Sequence, residues 1–117
     1  MANVLFVCSK NRWRSPTAEH IFADYPGVLC LSAGVSVDAD HRLERDMLGW
    51  ADIVFVMERQ HRKKVDALHP GALHGKKVVC LNIPDNYPYM DSALVKLLNH
   101  SVTPHLQKLA NSYAQPW

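Results

Sequence analysis

Near its start the chain reads Val4-Leu-Phe-Val-Cys8-Ser-Lys-Asn-Arg-Trp-Arg14-Ser15-Pro16, and the rest of the molecule is organised around this segment. An apolar, β-branched run ends at Cys8, five residues follow, and Arg-Ser-Pro then opens a segment with helical periodicity. This order predicts a strand, a tight loop and the first turn of a helix. Because the backbone N–H groups of such a loop converge at the helix start, the spot they face favours an anion.

Two side chains at this spot carry chemistry. We expect Cys8 to act as a thiolate nucleophile, because the N–H groups and the helix dipole stabilise a sulfur anion. Arg14 returns to the same spot with a planar guanidinium that suits a tetrahedral oxyanion. Ser15 can cap the helix and also donate to the sulfur, and Pro16 suits the first helical position. A cysteine at a strand end can also be a plain core residue, but the combined context favours the catalytic interpretation.

The motif Cys8-x5-Arg14-Ser15-Pro16 directly after the first strand resembles the low-molecular-weight protein tyrosine phosphatases, and in particular a short bacterial branch of them. The resemblance implies a phosphate monoester hydrolase of the protein tyrosine phosphatase type that works through a phosphocysteine on Cys8. In that reaction Arg14 clamps the phosphate. The similarity continues in the family's order, over most of the chain, in Ser32-Ala33-Gly34, Asp52-Ile-Val-Phe-Val-Met57-Glu58 and Ile83-Pro84-Asp85-Asn86-Tyr87.

The hydrophobic pattern predicts a single α/β domain over residues 1–117. Alternating strands and helices imply parallel pairing through right-handed crossovers, and hence a three-layer sandwich with helices on both faces of a four-stranded sheet. The resemblance implies the strand order 2-1-3-4. Ligands of such sheets bind beyond the carboxyl ends of the strands. Strands are expected at 3–8, 28–32, 52–57 and 77–81, and helices at 16–25, 43–49 and 58–68. A further helix is expected to begin at Asp91, and a separate last helix at Thr103-Pro104.

Asp85 and Asp91 are the two candidates for the general acid and base. Asp85 matches the family's loop aspartate, since it follows the fourth strand and precedes an aromatic residue. Asp91 stands before Ser-Ala-Leu, where a helix N-cap favours aspartate, and we expect it to cap. Asp85 is therefore expected to protonate the leaving oxygen in the first step. As a carboxylate it would then activate water for the second step.

The other loop residues and one tyrosine are expected to contact substrate. Asn11 matches a family position whose side chain braces the loop, and asparagine also tolerates left-handed backbone. Lys10 stands where the family commonly has glycine, and it is expected to face solvent. Trp13 stands where many members have a second cysteine, so oxidation of Cys8 should find no adjacent resolving thiol. The predicted substrate-binding set is Ser9, Lys10, Asn11, Arg12, Trp13, Ser15 and Tyr87.

Composition limits the alternatives. The net charge of +2 is too small to indicate nucleic acid binding, and the basic run 61–64 is typical of a solvated helix face. No apolar segment is long enough for a bilayer, and no signal-type segment opens the chain. Three cysteines, an odd number, favour a reducing compartment, so a cytoplasmic protein is expected. The seven histidines are scattered, which predicts no metal site, and the chemistry requires no cofactor.

The expected ligands are a phosphorylated protein or a small aryl phosphate, and inorganic phosphate or other oxyanions. The segment between Gly34 and Asp52 is shorter than in typical members, which weakens the case for phosphotyrosine. An arsenate reductase on the same scaffold is one alternative, but Cys80 has no nearby partner for the disulfide relay. A non-catalytic phosphate-binding regulatory module is another, although binding alone requires neither nucleophile nor acid. His41 and His61 could reach the site edge as hydrogen-bond partners, but exposed or capping roles are expected.

Overall fold

The structure is a computed structural model and describes residues 1–114. Within them strands and helices alternate along the chain. The elements are β1 (Ala2–Cys8), α1 (Arg14–Phe22), β2 (Val28–Gly34), α2 (Arg45–Trp50), β3 (Ile53–Val56), α3 (Arg59–Leu68), β4 (Lys77–Cys80) and α4 (Ser92–Ala114).

The four strands form one parallel sheet in the order β2-β1-β3-β4, which confirms the predicted architecture and strand order. At its carboxyl edge Cys8 lies level with Gly34 of β2. On the other side of β1, Val7 lies level with Val56 of β3, which in turn lies level with Cys80 of β4. The loops that follow the strands therefore leave the sheet at one edge, and the 8–14 loop lies near its centre.

Each face of the sheet is covered by a separate hydrophobic core. On one face Phe6 stacks on Phe55 and Phe22 at centroid distances of 5.3 and 6.0 Å, beneath α1 and α4. On the other face Leu5 and Val7 pack against α2 and α3. Burial of alternating strand residues on both faces is what a parallel sheet between two helical layers requires. No helix among the described residues has the length and apolar content needed to cross a membrane.

The predicted break at Thr103-Pro104 is wrong, because α4 runs on through Pro104 as one helix. The proline faces solvent, whereas four leucine and valine side chains at four-residue intervals are fully buried on the sheet. An internal proline costs about 3 kcal/mol, but each buried aliphatic side chain contributes roughly 1.5–3 kcal/mol. Burial on both sides of the proline therefore outweighs its cost. The four are Leu94, Leu98, Val102 and Leu106.

The first helix begins at Arg14, two residues before the predicted start, and Trp13 precedes it without a side-chain cap. Ser15 therefore does not cap α1, and that prediction is wrong. Its side chain is fully buried and turned to the sulfur of Cys8 instead. The hydroxyl of Thr17 donates to the carbonyl of Trp13 at 2.6 Å, so the first turn is closed from within the helix.

Candidate active site

A cavity of about 230 Å³ opens at the carboxyl edge of the sheet, above the end of β1. Its lining brings together the predicted nucleophile, the predicted phosphate clamp and the predicted acid, which are up to 77 residues apart in the chain. The lining residues are Cys8, Lys10, Arg12, Trp13, Arg14 and Asp85.

The backbone of the 8–14 loop presents donors to this cavity. Four of its carbonyls are turned outward and accept N–H groups from neighbouring segments. None of the amides of residues 9–13 donates to an acceptor within the described part of the chain. Amides arranged in this way form a cradle for an anion, as the sequence predicts. The four bonds run from Val35 to Cys8 (3.0 Å), Ser36 to Ser9 (2.8 Å), Asp40 to Lys10 (2.9 Å) and Thr17 to Trp13 (3.0 Å).

The sulfur of Cys8 lies at the end of a buried hydrogen-bond chain. Ser15 Oγ is 2.9 Å from the sulfur and also accepts from Asn11 Nδ2 at 2.8 Å. Since the asparagine uses a lone pair of that oxygen, the serine proton is free to point at the sulfur; its other acceptor, a backbone carbonyl, lies farther away at 3.4 Å. Asn11 Nδ2 donates in addition to Ser32 Oγ at 2.9 Å, and Ser32 donates to Glu19 at 2.6 Å.

Asn11 has both of the properties that the sequence suggests for it. Its backbone is left-handed, with φ of 56°, a conformation that asparagine tolerates better than most residues. Its side chain bridges the hydroxyls of Ser15 and Ser32. The bracing role of Ser32 was not predicted, although the family resemblance includes Ser32-Ala33-Gly34 at the end of β2.

Arg14 is only 2% exposed and is held from behind. Its Nη1 donates to the carboxylate of Glu58 at 2.6 Å and to the carbonyl of Ile83 at 2.7 Å. A guanidinium has five N–H groups, so Nε and Nη2 remain as a fork for a bidentate oxyanion. Burial alone would raise the pKa of Glu58, but its hydrogen bond and attraction to Arg14 lower the pKa below the usual value. Glu58 therefore stays a carboxylate and fixes the guanidinium plane.

Asp85 and Asp91 have separate surroundings. Asp85 lies in the loop after β4, its side chain is 59% exposed, and its Oδ1 is 3.6 Å from Nε of Arg14. Asp91 Oδ2 accepts the backbone N–H groups of Ala93 and Leu94 at 3.0 and 3.2 Å. The predicted capping role of Asp91 is confirmed by these bonds. Asp85 is the aspartate at the cavity, and its catalytic role stays a prediction.

The cavity mouth carries two cations that are paired with acidic residues of the loop after β2. Lys10 Nζ lies 3.4 Å from Asp38, and its side chain is about half exposed. Arg12 Nε donates to Asp40 at 3.0 Å. Hydrogen bonding to Ser36 lowers the pKa of Asp38, so this carboxylate remains charged. The sequence indicated only that this segment is a loop, so neither pair was predicted.

The two aromatic residues of the predicted substrate-binding set differ in position. Trp13 lines the cavity with 46% of its surface exposed. Tyr87 is not among the lining residues and packs, half-buried, against the core beneath α1 and α4. A contact of Tyr87 with substrate therefore stays a prediction.

His61 lies behind the loop and is 1% exposed, so the expectation of an exposed side chain is wrong and that of a capping one is confirmed. Its Nδ1 accepts the backbone N–H of Glu58 at 3.0 Å, and its Nε2 lies 2.8 Å from Ser9 Oγ. Burial, together with the charge of Arg14, lowers the pKa of His61 to about 4. His41 is exposed, and only its carbonyl, which accepts from Gly34, is tied to this edge.

The other two cysteines are half-buried in strands, as predicted for packing residues. Burial, assisted by the negative charge of Glu19, raises the pKa of Cys30 to about 12. Cys80 Sγ donates to Asn82 Oδ1 at 3.3 Å. Within residues 1–114 no group of histidine, cysteine and acidic side chains could hold a metal ion.

No protein-family model and no curated protein matches this sequence. Solved structures do match. Wzb from Vibrio vulnificus, in complex with benzylphosphonate, has a TM-score of 0.76 at 23% identity, over 92% of this chain and 99% of that one. The YwlE arginine phosphatase from Geobacillus stearothermophilus has a TM-score of 0.69 at 23% identity, over 97% of this chain and 93% of that one. A low molecular weight phosphotyrosine phosphatase from Vibrio cholerae O395 has a TM-score of 0.70 at 18% identity, over 100% of both chains. This chain therefore has the fold of the low-molecular-weight phosphatases.

Proposed function

We propose that this protein is a cysteine-dependent phosphate monoester hydrolase of the low-molecular-weight protein tyrosine phosphatase family. The observation that carries the proposal is the position of Cys8 beneath unpaired loop amides and the free fork of Arg14. These donors match the equatorial oxygens of a phosphoryl group that is being transferred from the ester oxygen to the sulfur of Cys8. Positioning and charge stabilisation of this kind supply most of the catalysis of phosphoryl transfer.

In the first step the Cys8 thiolate attacks phosphorus, the S–P bond forms and the bond to the leaving oxygen breaks. Asp85, as the carboxylic acid, gives its proton to the leaving oxygen. Phosphate bound at Nε and Nη2 of Arg14 would take the place that Asp85 Oδ1 now approaches at 3.6 Å. The exposed loop of Asp85 allows the carboxyl to turn towards the leaving group instead.

In the second step water attacks the phosphocysteine, the S–P bond breaks and inorganic phosphate is released. Asp85, now a carboxylate, accepts the proton of the water. The sulfur leaves as a thiolate, and the hydroxyl of Ser15 at 2.9 Å stabilises the charge that develops on it. The chemistry of the two steps requires no metal or cofactor.

The substrate class is a phosphotyrosine protein or a small aryl phosphate. Trp13 offers an exposed aromatic surface beside the cavity for a phenyl ring. The Vibrio vulnificus relative binds benzylphosphonate, which has the same arrangement of ring and phosphoryl group. One relative is an arginine phosphatase, so phosphoarginine is the competing substrate class, and the experiment below compares it with phosphotyrosine. A cytoplasmic location belongs to this proposal, since a reducing compartment keeps an unpaired catalytic thiol from being oxidised to a disulfide.

Turnover of p-nitrophenyl phosphate, combined with a Cys8→Ser variant, tests the function. We expect turnover by the parent, none by Cys8→Ser, and retention of phosphotyrosine peptides by that variant in preference to phosphoserine and phosphoarginine peptides. Cys80→Ser is the matched control and should turn over normally. Unchanged turnover in Cys8→Ser would refute the proposal. If phosphate protected the protein against thermal unfolding but no ester were turned over, the protein would be a binding module. Thiol-coupled arsenate reduction that is lost in Cys80→Ala would indicate an arsenate reductase.

A further inference from the structure

We propose that His61 is a positioning residue for the 8–14 loop. Its ring is hydrogen-bonded to Ser9 of that loop on one side and to the backbone of Glu58 on the other. The carboxylate of Glu58 in turn holds Arg14. His61 lies in α3, outside both the loop and the cavity lining, and has no part in the reaction steps above. The inference rests on the proposed function in one respect only, namely that the loop binds a phosphoryl group.

The hydrogen bonds of His61 define its tautomer. The backbone N–H of Glu58 can only donate, so Nδ1, at 3.0 Å, must be the unprotonated nitrogen. The proton of the neutral ring is therefore on Nε2, which donates to Ser9 Oγ at 2.8 Å. The ring is 1% exposed, so water cannot replace either partner. Both ends of the ring are thus committed, one to the loop and one to the start of α3.

The ring closes a circuit that includes both ends of the 8–14 loop. Ser9 is the second residue of the loop and Arg14 is its last. Arg14 is bonded at 2.6 Å to the carboxylate of Glu58, and the backbone of Glu58 is bonded to His61. A shift of α3 relative to Ser9 would therefore displace the guanidinium and the loop amides relative to each other. Misplacement of such groups by about 1 Å can reduce a rate roughly 100-fold.

A capping role alone would not need the second nitrogen. Capping of α3 uses only the acceptor at Nδ1, and the side-chain oxygen of an asparagine, at the same number of bonds from Cβ, can supply such an acceptor at this position. The additional contact of Nε2 with Ser9 is the feature that separates a positioning role from a structural one.

His61→Asn separates the two roles, because asparagine keeps an acceptor for the Glu58 N–H but is too short to reach Ser9. We expect thermal stability to stay near that of the parent and kcat/KM for p-nitrophenyl phosphate to fall roughly 10- to 100-fold. Ser9→Ala should reduce kcat/KM as well, and kcat/KM of the double variant should not fall below that of the less active single variant. His100→Asn, at an exposed position of α4, is the matched control and should behave as the parent.

Activity of His61→Asn within twofold of the parent would overturn the inference, as would effects of the two substitutions that multiply in the double variant. Vanadate binding keeps this test separate from the proposed function. If the parent binds vanadate but turns over no ester, the hydrolase proposal fails, and the positioning role is then judged by the same four variants. It holds if His61→Asn and Ser9→Ala weaken vanadate binding non-additively, and it fails if His61→Asn leaves the binding unchanged.

Discussion

Asp85 lies at the cavity on an exposed loop, and in the proposed mechanism its contribution depends on the leaving group. We expect Asp85→Asn to reduce turnover of phenyl phosphate or a phosphotyrosine peptide by about 100-fold or more, because a poor leaving group needs the proton. Turnover of an activated aryl phosphate such as p-nitrophenyl phosphate should fall much less. Steady-state kinetics on both substrate types measure the difference.

Asp91→Asn is the control for that experiment, since asparagine caps a helix as well as aspartate does. It should leave both activities and the stability unchanged. Equal losses on both leaving groups in Asp85→Asn, or a leaving-group effect in Asp91→Asn, would contradict the assignment of Asp85 as the acid.

Neither Cys30 nor Cys80 is among the residues that line the cavity of Cys8. This chain has Trp13 at the position where many low-molecular-weight phosphatases have a second cysteine. Burial raises the pKa of Cys30 to about 12, so the Cys30 thiol is not ionised near neutrality. We expect peroxide to oxidise Cys8 first to the sulfenic acid and then irreversibly to the sulfinic acid. Mass spectrometry of the peptide that contains Cys8 should show this product, and dithiothreitol should restore little activity after long exposure.

The same inactivation is expected in a Cys30→Ser, Cys80→Ser double variant. A quantitative disulfide between Cys8 and either of the other cysteines would show that a resolving thiol is within reach after all.

At the scale of elements, the 8–14 loop rests on the end of β2 so closely that only glycine fits there. A Cβ added to Gly34 would lie 2.5 Å from the carbonyl oxygen of Ser9 and 2.9 Å from the backbone nitrogen of Asn11. These are backbone atoms, so the loop itself would have to move. We expect Gly34→Ala to reduce kcat/KM for p-nitrophenyl phosphate by roughly 100-fold and to weaken vanadate binding.

Gly49→Ala is the matched substitution, because a Cβ at Gly49 in α2 meets nothing within 4 Å. It should keep full activity and raise the free energy of unfolding by about 0.5–1 kcal/mol, as alanine favours a helix over glycine. Normal activity of Gly34→Ala would mean that the loop tolerates displacement, and catalysis would then not depend on close contact between the loop and β2.

The helix α4 illustrates how an element can override its local sequence. Thr-Pro is a good helix start in isolation, yet here it lies inside a helix of 23 residues. The reason is the buried stripe that continues on the sheet side of the helix from Leu94 to Leu106. Local patterns predicted the two halves of α4 correctly, and only the tertiary contact could show that they are one helix.

At the scale of the whole molecule, the buried ring of His61 couples the stability of the fold to pH. Burial and the charge of Arg14 lower the pKa of His61 from 6.5 to about 4, while Glu58 and Asp85 act in the opposite direction. Between these values the unfolded chain binds a proton that the folded protein does not. The free energy of unfolding should therefore fall as the pH is lowered from 6.5 towards 4, by up to roughly 3 kcal/mol through this group.

Urea unfolding of the parent and of His61→Asn at several pH values between 7 and about 4.5 measures this contribution. Groups that do not interact with His61 titrate in both proteins and cancel in the difference. The stability of the parent relative to the variant should decrease towards acid pH. A difference that stays constant with pH would show that His61 is protonated equally in the folded and unfolded states.

The parallel sheet is what brings the site together. Right-handed crossovers place the carboxyl ends of the strands at one edge, where four residues converge. They are Cys8 at the end of β1, Gly34 at the end of β2, Glu58 after β3 and Asp85 after β4. This convergence follows from the parallel direction of the strands, and it makes residues that are far apart in the chain neighbours in space.

Local sequence was sufficient to predict the α/β class, the positions of the strands, the loop with its cysteine and arginine, and the capping of α4 by Asp91. These features depend on apolar periodicity and on spacings of a few residues, which local physics governs. Contacts between elements were needed to show that Glu58 holds Arg14, that His61 reaches Ser9, that Asp38 and Asp40 pair with the mouth cations, and that α4 is continuous. Each of these depends on which side chains meet across elements and on how much surface they bury, and spacing along the chain carries neither.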